Sequence, residues 1–475
     1  MNASERFCHA YHQTLHTPEH ALGGNNDAWF TQFREQALDS FSAQGLPTAK
    51  TENWKYTRLK PIEQVDFNHT TAPATTLPQD QLDAIPHCPN GYQLVFINGR
   101  FEESLSRLPP ITNAPIQETI LCDFHRAIET HSDHLKSTLG KIAHTNHHPF
   151  AALNSMFTSN GVFLWVHQNN HIQQPIHCLF ISTTMDKPNV CHPRLLLIME
   201  DNSEATVFEH YMFIPEFKGL KGPNTQQTTE SPPCFTNAVT EILMGPNARM
   251  QHYTLQQESP ANIHIAGLHV MQQPSSYFSN HSFFLGGKLT RNDIRISLAG
   301  KAAECVLTGG YCIGDQQHLD QHIQIDHLEP ECHSRTLYKG VIQDHARAVF
   351  NGKIVVHPAA QQTNAKLVNK NLLLSTKGHV DTKPELQIYA DDVVCSHGAT
   401  VGQLDDAALF YLQTRGITKT AAKTLLASAF IGETLESISQ PLIQKLIIPP
   451  VLNQLNQLIN PLKKTVFSNH KKEGL

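Results

Sequence analysis

From about residue 160 to residue 400 the sequence keeps returning to one pattern: short apolar runs separated by polar turns containing Gly, Asn and Asp. The runs include Gly161–Val166, Leu195–Met199, Thr206–Phe208, Val239–Met244, Met250–Leu255, Ile294–Leu298, Cys305–Leu307, His322–Ile325, Lys353–Val356, Leu372–Leu374 and Leu386–Tyr389. Strong amphipathic helices are nearly absent across this stretch. Many short strands without helices restrict the chain to a sandwich, a barrel, a propeller or a solenoid. The strands are too numerous for one sandwich. They are often apolar throughout, as when each strand stacks on the next coil. The expected fold class is therefore mainly β with a parallel β-helix core, although no strict repeat period is visible.

The flanks read differently. Trp29, Phe33, Ala37 and Phe41 recur every fourth residue and mark one face of a helix. Asp27 is a candidate N-cap, and Gly45 with Pro47 ends the helix. Residues 66–90 are rich in Thr and Pro and read as a linker. Leu94–Ile97 followed by Asn98-Gly99 reads as a buried strand entering a tight turn. A helical stretch falls within residues 118–158, and segment 217–233 reads as an exposed loop. Asp405-Asp406 opens a helix over Ala407–Arg415, with Gly416 as its C′ residue. Thr418 is placed to cap a second helix, in which Ala421, Ala422, Leu425, Leu426, Ala429 and Phe430 form one apolar stripe. Pro449-Pro450 is expected to break the apolar segment that follows. The units expected are residues 1–90 (helical domain and linker), 91–404 (β-helix core) and 405–475 (helical domain with a basic tail at Lys463, Lys464, Lys471 and Lys472).

A chain of 475 residues with 40% apolar and 16% charged residues can bury a core without disulfides. Its net charge of −6 gives no reason to expect nucleic acid or an anionic membrane as partner. No apolar run approaches the roughly 18 residues that span a bilayer, and the N-terminus lacks the pattern of a secretory signal. The ten cysteines contain no C-x-x-C pair, so a reducing, cytoplasmic setting is expected. The 30 histidines are spread along the chain. His16/His20 and His147-His148 have no cysteine or carboxylate set beside them that completes a ligand quartet. No G-x-x-x-x-G-K-[ST] is present, so ATP hydrolysis by the P-loop route is excluded. Gly286-Gly287-Lys288 lacks the leading glycine and the following helix that a phosphate loop needs.

The most informative segment is Cys395-Ser396-His397-Gly398-Ala399-Thr400, followed by Phe410-Tyr411-Leu412-Gln413-Thr414-Arg415-Gly416. It resembles the C-x-H-x-A-T block and the F-Y-L-x-x-R-G helix end of the SufB/SufD family of iron–sulfur cluster assembly proteins. Trp54-Lys55-Tyr56-Thr57, Phe96–Phe101, Leu153-Asn154 and Gly286–Asp293 fit the same family. SufB-like members read C-E-H-E at the Cys–His block; Ser396 and Gly398 replace both carboxylates here. That departure and the W-K-Y-T block place the resemblance in the SufD branch. A SufB-like paralogue that carries the cluster itself is the alternative.

The resemblance implies a right-handed β-helix and a scaffold without enzymatic activity of its own. It implies a heterodimer with a SufB-like paralogue and binding of a SufC-like ABC ATPase. Sulfur would arrive indirectly, through a cysteine desulfurase relay. Reduced flavin is linked to such complexes, and no residue here identifies a site for it. His397, and with it Cys395, would lie at the SufB interface beside a transient cluster or iron. Asp405, Phe410, Tyr411, Arg415, Leu425 and Phe430 fall in the region that would meet SufC. The chemistry is compatible. Imidazole and thiolate both ligate iron, and residues two apart on a strand share a face. One Cys and one His supply half of the four ligands a cluster usually takes, so another chain must complete the site. The plainer readings are a packed thiol at Cys395 and a hydrogen-bonded interface residue at His397. Cys305 and Cys312 are the next thiols in line. A β-helix polysaccharide lyase or hydrolase would need clustered acids on one exposed sheet, and none is conspicuous.

Overall fold

The computed structural model describes residues 1–14, 28–69, 82, 85–88, 91–109, 119–215 and 232–460. His16, His20, Asp27, the basic tail, and most of the 66–90 and 217–233 segments fall outside the described residues.

Twenty strands stack into two long sheets. The first eight are β1 (Tyr92–Ile97), β2 (Arg100–Phe101), β3 (Ile120–Asp123), β4 (Gly161–Val166), β5 (Ile176–Thr183), β6 (Asn189–Cys191), β7 (Arg194–Met199) and β8 (Glu204–Ile214). Next come β9 (Cys234–Met244), β10 (Arg249–Gln257), β11 (Ile263–Gln272), β12 (Tyr277–Phe284), β13 (Leu289–Leu298) and β14 (Glu304–Ile313). The last six are β15 (His318–His327), β16 (His333–Ile342), β17 (Arg347–Val356), β18 (Thr363–Leu373), β19 (His379–Ile388) and β20 (Val393–Gln403). One sheet runs β2-β1-β5-β8-β10-β12-β14-β16-β18-β20, and the other runs β19-β17-β15-β13-β11-β9-β7-β4-β3. Every ladder is parallel except β1–β2 and β3–β4, which fold back antiparallel at the first end. The chain alternates between the sheets, so each coil contributes a strand to both: a β-solenoid of about eight turns.

Side chains alternate along each strand, so every second residue enters the lumen. Val207, Met250, Phe278, Leu307, Ile325 and Ile354 belong to the continuous apolar core between the sheets. From β8 onward the strands run well beyond the apolar runs that mark them, 9 to 11 residues in most cases. In β15, Asp320 and Gln321 are buried beside Leu319 and Ile323. Backbone pairing to the coils on both sides carries the strand across such polar residues, because each N–H and C=O finds a partner whatever the side chain.

The repeat hidden in the sequence is geometric. Leu289 pairs with His318, His318 with Arg347, and Arg347 with His379, separations of 29, 29 and 32 residues. At one corner of each coil a residue takes positive φ: Asn169, Asn202, Asn247, Ser275, Ala302, Glu331 and Gln362. The first three stack through their amides, Asn202 donating to Asn169 at 2.9 Å and Asn247 to Asn202 at 3.1 Å. Five residue types at one structural position, with uneven spacing, leave no sequence period to read.

Helices cover the outer faces. In chain order they are α1 (Ala3–Thr14), α2 (Ala28–Gln44), α3 (Lys60–Glu63), α4 (Phe124–Thr130), α5 (Ser132–Thr138), α6 (Pro149–Phe157), α7 (Asp406–Thr414), α8 (Lys419–Glu436) and α9 (Pro441–Ile459). Phe7 and Tyr11 of α1, Ala37 and Phe41 of α2 and Leu153 of α6 pack with Trp54 onto Phe235, Ile265 and Leu289 of the second sheet. Gly45, at φ +64°, ends α2 as the sequence suggests. Asn154 of α6 donates to the carbonyls of Pro193 and Asn237 at 2.8 Å and accepts from the buried Arg194. Arg194 is in turn paired with the buried Glu241.

Two expectations fail at the C-terminus. Pro449 and Pro450 lie inside α9, which continues through them to Ile459. Ile443, Ile447, Val451, Leu455 and Leu458 form one buried stripe across the proline pair. Packing of that stripe on the first sheet outweighs the roughly 3 kcal/mol a mid-helix proline costs. In α8 the buried positions are Ala422, Ala427, Ile431, Thr434 and Leu435, not the Ala421–Phe430 stripe. The helix has two apolar faces. Ile431 seats on the solenoid, while Ala421, Leu425 and Ala429 stay exposed.

Candidate functional site: the open last coil

Each inner coil is covered above and below by its neighbours. The last coil is not: β19 and β20 are the terminal strands of their sheets, each paired on one side only. Nothing among the described residues caps them. β20 therefore presents a free backbone edge, which other proteins cover, shorten or charge. Its side chains are open too. Val394 is 70% exposed and Val401 45%, and on the preceding turn Tyr389 is 62% exposed.

Register fixes where the Cys–His block points. Cys395 pairs with Ala365 and His397 with Leu367, both buried in the core between the sheets. Cys395 and His397 therefore share the lumen side of the terminal coil, at its uncovered end. Cys395 is half-buried against the core, and burial pushes its thiol above the ordinary value. His397 is exposed, as is Ser396 between them. A Cβ added at Gly398 would meet nothing within 4 Å, so the outer face of this strand is open there. Cys305 and Cys312 are fully buried. Burial raises both thiols, Cys312 to about 12, and neither is placed as a ligand. Among the described residues no group of three or more His, Cys, Asp or Glu is arranged to hold a metal ion.

Immediately after β20, Asp405 caps α7 by accepting from the Ala407 amide at 2.9 Å, and Thr418 caps α8 through the Ala421 amide. Phe410 is 68% exposed, with Tyr411 and Leu425 more than half exposed beside it. The Arg415 guanidinium lies 5.4 Å from the Tyr411 ring. Asp405, Phe410, Tyr411, Arg415 and Leu425 thus lie on the outward side of this helical pair. Phe430 is half-buried and faces the solenoid. Lys339 of β16 sits 4.9 Å from its ring, donates to its carbonyl at 2.6 Å and pairs with Glu433 at 2.6 Å. That lysine holds α8 down, so Phe430 is an anchor rather than part of a free face.

The residues sequence reasoning missed are those that become exposed only because the stack stops. Ile388, Tyr389 and Val394 look like ordinary core or strand residues in the sequence. Also missed was the meeting of two quoted blocks. Arg291 of Gly286–Asp293 stacks on Trp54 and donates to the Asn53 carbonyl at 2.8 Å. Thr57 donates to Asp320 at 2.5 Å and lies 2.9 Å from His318 Nε2. The N-terminal block is thereby clamped to β13 and β15.

Comparison with known proteins agrees with this architecture. Residues 180–430 match the family model described as SUF system FeS cluster assembly, SufBD core domain, and residues 1–178 match the SufBD protein N-terminal region. An iron–sulfur cluster assembly SufBD family protein of Synechocystis is 33% identical over 420 residues, covering 88% of this chain and 89% of that one. The iron–sulfur cluster assembly protein SufD of Escherichia coli is 30% identical over 406 residues, 85% and 88% of the two chains. SufD of Bacillus subtilis is 23% identical over 449 residues, 91% and 93%. With matched models over most of its length and relatives of this similarity, the chain belongs to the SufBD family of iron–sulfur cluster assembly proteins.

Proposed function

We propose that this chain is the SufD-type scaffold half of a shared cluster-assembly site, with a SufB-like paralogue as the other half and a SufC-like ATPase on its C-terminal helices. The observation that carries this reading is the uncapped last coil. His397 and Cys395 lie on its lumen side together with the exposed Val401, while Val394 is exposed on its outer face and Tyr389 on the preceding turn. A terminal coil of this kind accepts another coil's edge by continuing the ladder. The partner's ligands would then complete what one imidazole and one thiol begin, around iron or a nascent cluster as cargo. An under-coordinated, shared site suits a protein that gives its cluster away. The exposed Phe410, Tyr411 and Leu425 supply the apolar surface for the ATPase. Among the described residues no helix is long and apolar enough to cross a membrane; a cytoplasmic complex is part of the proposal.

Co-expression with SufB-like and SufC-like proteins tests the reading directly. A stable complex should co-purify under reducing conditions, and failure to associate sinks the proposal. His397→Ala should lower cluster yield while the complex still assembles. The alternative, a SufB-like role, requires the isolated chain to acquire iron–sulfur absorbance on anaerobic reconstitution. Ser396 and Gly398, in place of carboxylates, argue against it.

A further inference from the structure

A cleft of about 480 Å³ opens between the N-terminal segment and the outer face of β9, β11 and β13. Thr48, Asn53 and Asn146 line one side of it, and His269 and Arg295 line the other. A neighbouring groove shares Arg295 and is bordered by Lys353 and Lys383.

The cations here are not equivalent. Arg291 is answered by Asp293 at 2.9 Å and Asp320 at 2.5 Å. Lys383 has Glu52 at 3.4 Å and Glu385 at 3.7 Å, and Lys353 has Glu385 at 3.9 Å. Arg295 has no carboxylate within 4 Å among the described residues. Its one hydrogen bond to a side chain is a long one, 3.3 Å to the neutral amide of Gln324, and its Nε is buried with no partner. Both oxygens of Asp293, the acid two residues away, already accept from Arg291. Burial lowers the Arg295 guanidinium below its ordinary value despite Asp293 and Asp326. His269 beside it is held neutral by burial and by His148 and the arginines.

A half-buried guanidinium that forms no ion pair within 4 Å and leaves its Nε without a partner is unfavourable, and a carboxylate or phosphate group matches its forked donors two at a time. The volume falls in the range of small-molecule sites, about 300–1,000 Å³. We propose that this cleft binds a small anionic molecule, whose carboxylate or phosphate group pairs with Arg295 while Thr48, Asn53 and Asn146 hydrogen-bond its remainder. The cleft itself is lined by no residue of the last coil, and the proposal is independent of the partner assignment above.

Thermal unfolding of the full-length protein at constant ionic strength tests the site, with inorganic phosphate and succinate as probes and chloride as reference. At least one probe should raise Tm in a saturable way, and the two arms identify the preferred group. Arg295→Gln should weaken that probe by about tenfold or more, the loss expected for a charged hydrogen-bonded pair. In chloride the variant should melt no lower than the natural protein, because it removes a half-buried charge that has no direct ion pair. Arg295→Lys, which keeps the charge without the fork, should bind with intermediate strength. Absence of a saturable shift with either anion, or equal affinity in Arg295→Gln or Arg295→Lys, overturns the proposal.

Discussion

The guanidinium carbon of Arg291 lies 3.8 Å from the centre of the Trp54 ring, and the two residues come from segments more than 230 positions apart. Arg291 is fully buried, so its contacts to Asp293, Asp320 and the Asn53 carbonyl hold a charge that has left water. Breaking one side of such a cluster costs about 3–5 kcal/mol, because the remaining charge is stranded. Arg291→Met should therefore lower stability to chemical denaturation by that amount. Trp54→Ala should cost about 3 kcal/mol through lost packing. It should also speed proteolysis within residues 45–57, which the clamp otherwise protects.

Acid should act in two stages. His210, His281 and His327 are buried and neutral, their values lowered by burial to about 3, about 4 and about 4. In the unfolded chain they protonate near 6.5. Between about pH 6.5 and pH 4 the unfolded state binds the extra protons, so stability falls as pH falls. Each group contributes at most about 1.4 kcal/mol per pH unit. The carboxyls of Asp293 and Asp320 follow. Burial alone would raise them, but Arg291 and His322 hold both below the usual range. Their contribution is complete above about pH 4 and is lost on further acidification. Denaturant midpoints measured from pH 8 to pH 3 should fall well before ordinary carboxylates titrate. A flat profile down to pH 4.5 contradicts the buried neutral histidines.

The proline pair in α9 is a retained cost. Pro449 is exposed, and alanine there restores one backbone hydrogen bond without disturbing the buried stripe. Pro449→Ala should raise stability by about 1–3 kcal/mol, read as a higher denaturation midpoint with unchanged slope.

On the last coil, charge should separate folding from association. Val394→Lys places an ammonium on a side chain already 70% exposed, so the isolated chain should change by no more than about 0.5 kcal/mol. Pull-down of a SufB-like partner should weaken at least tenfold. Retention of full binding would move the interface elsewhere.

The solenoid was legible because its coils bury apolar residues at a spacing no helix can use. The Thr418 cap and the Gly45 and Gly416 helix ends were legible because their chemistry is local. What escaped was set by contacts between coils. Strand lengths depend on neighbouring ladders rather than on the apolarity of residues such as Asp320. The corner stack places Asn202, Ala302 and Glu331 in one conformation with no shared chemistry. The α8 stripe was misplaced because two apolar faces compete and only the solenoid chooses Ile431. Within the candidate site, period-two alternation put Cys395 and His397 on one side. Only the end of the stack shows that this side is open.

The two ends of the solenoid are unlike. At the first end the sheet edges are the short antiparallel returns β2 and β3, of two and four residues, while β19 and β20 leave edges of ten and eleven residues at the second. A rod with one adhesive tip can join a single neighbour through it, after which both tips are spent. Growth by this route halts at two chains, where a rod open at both ends would polymerise. The asymmetry thus guards against fibres while keeping one long edge uncovered.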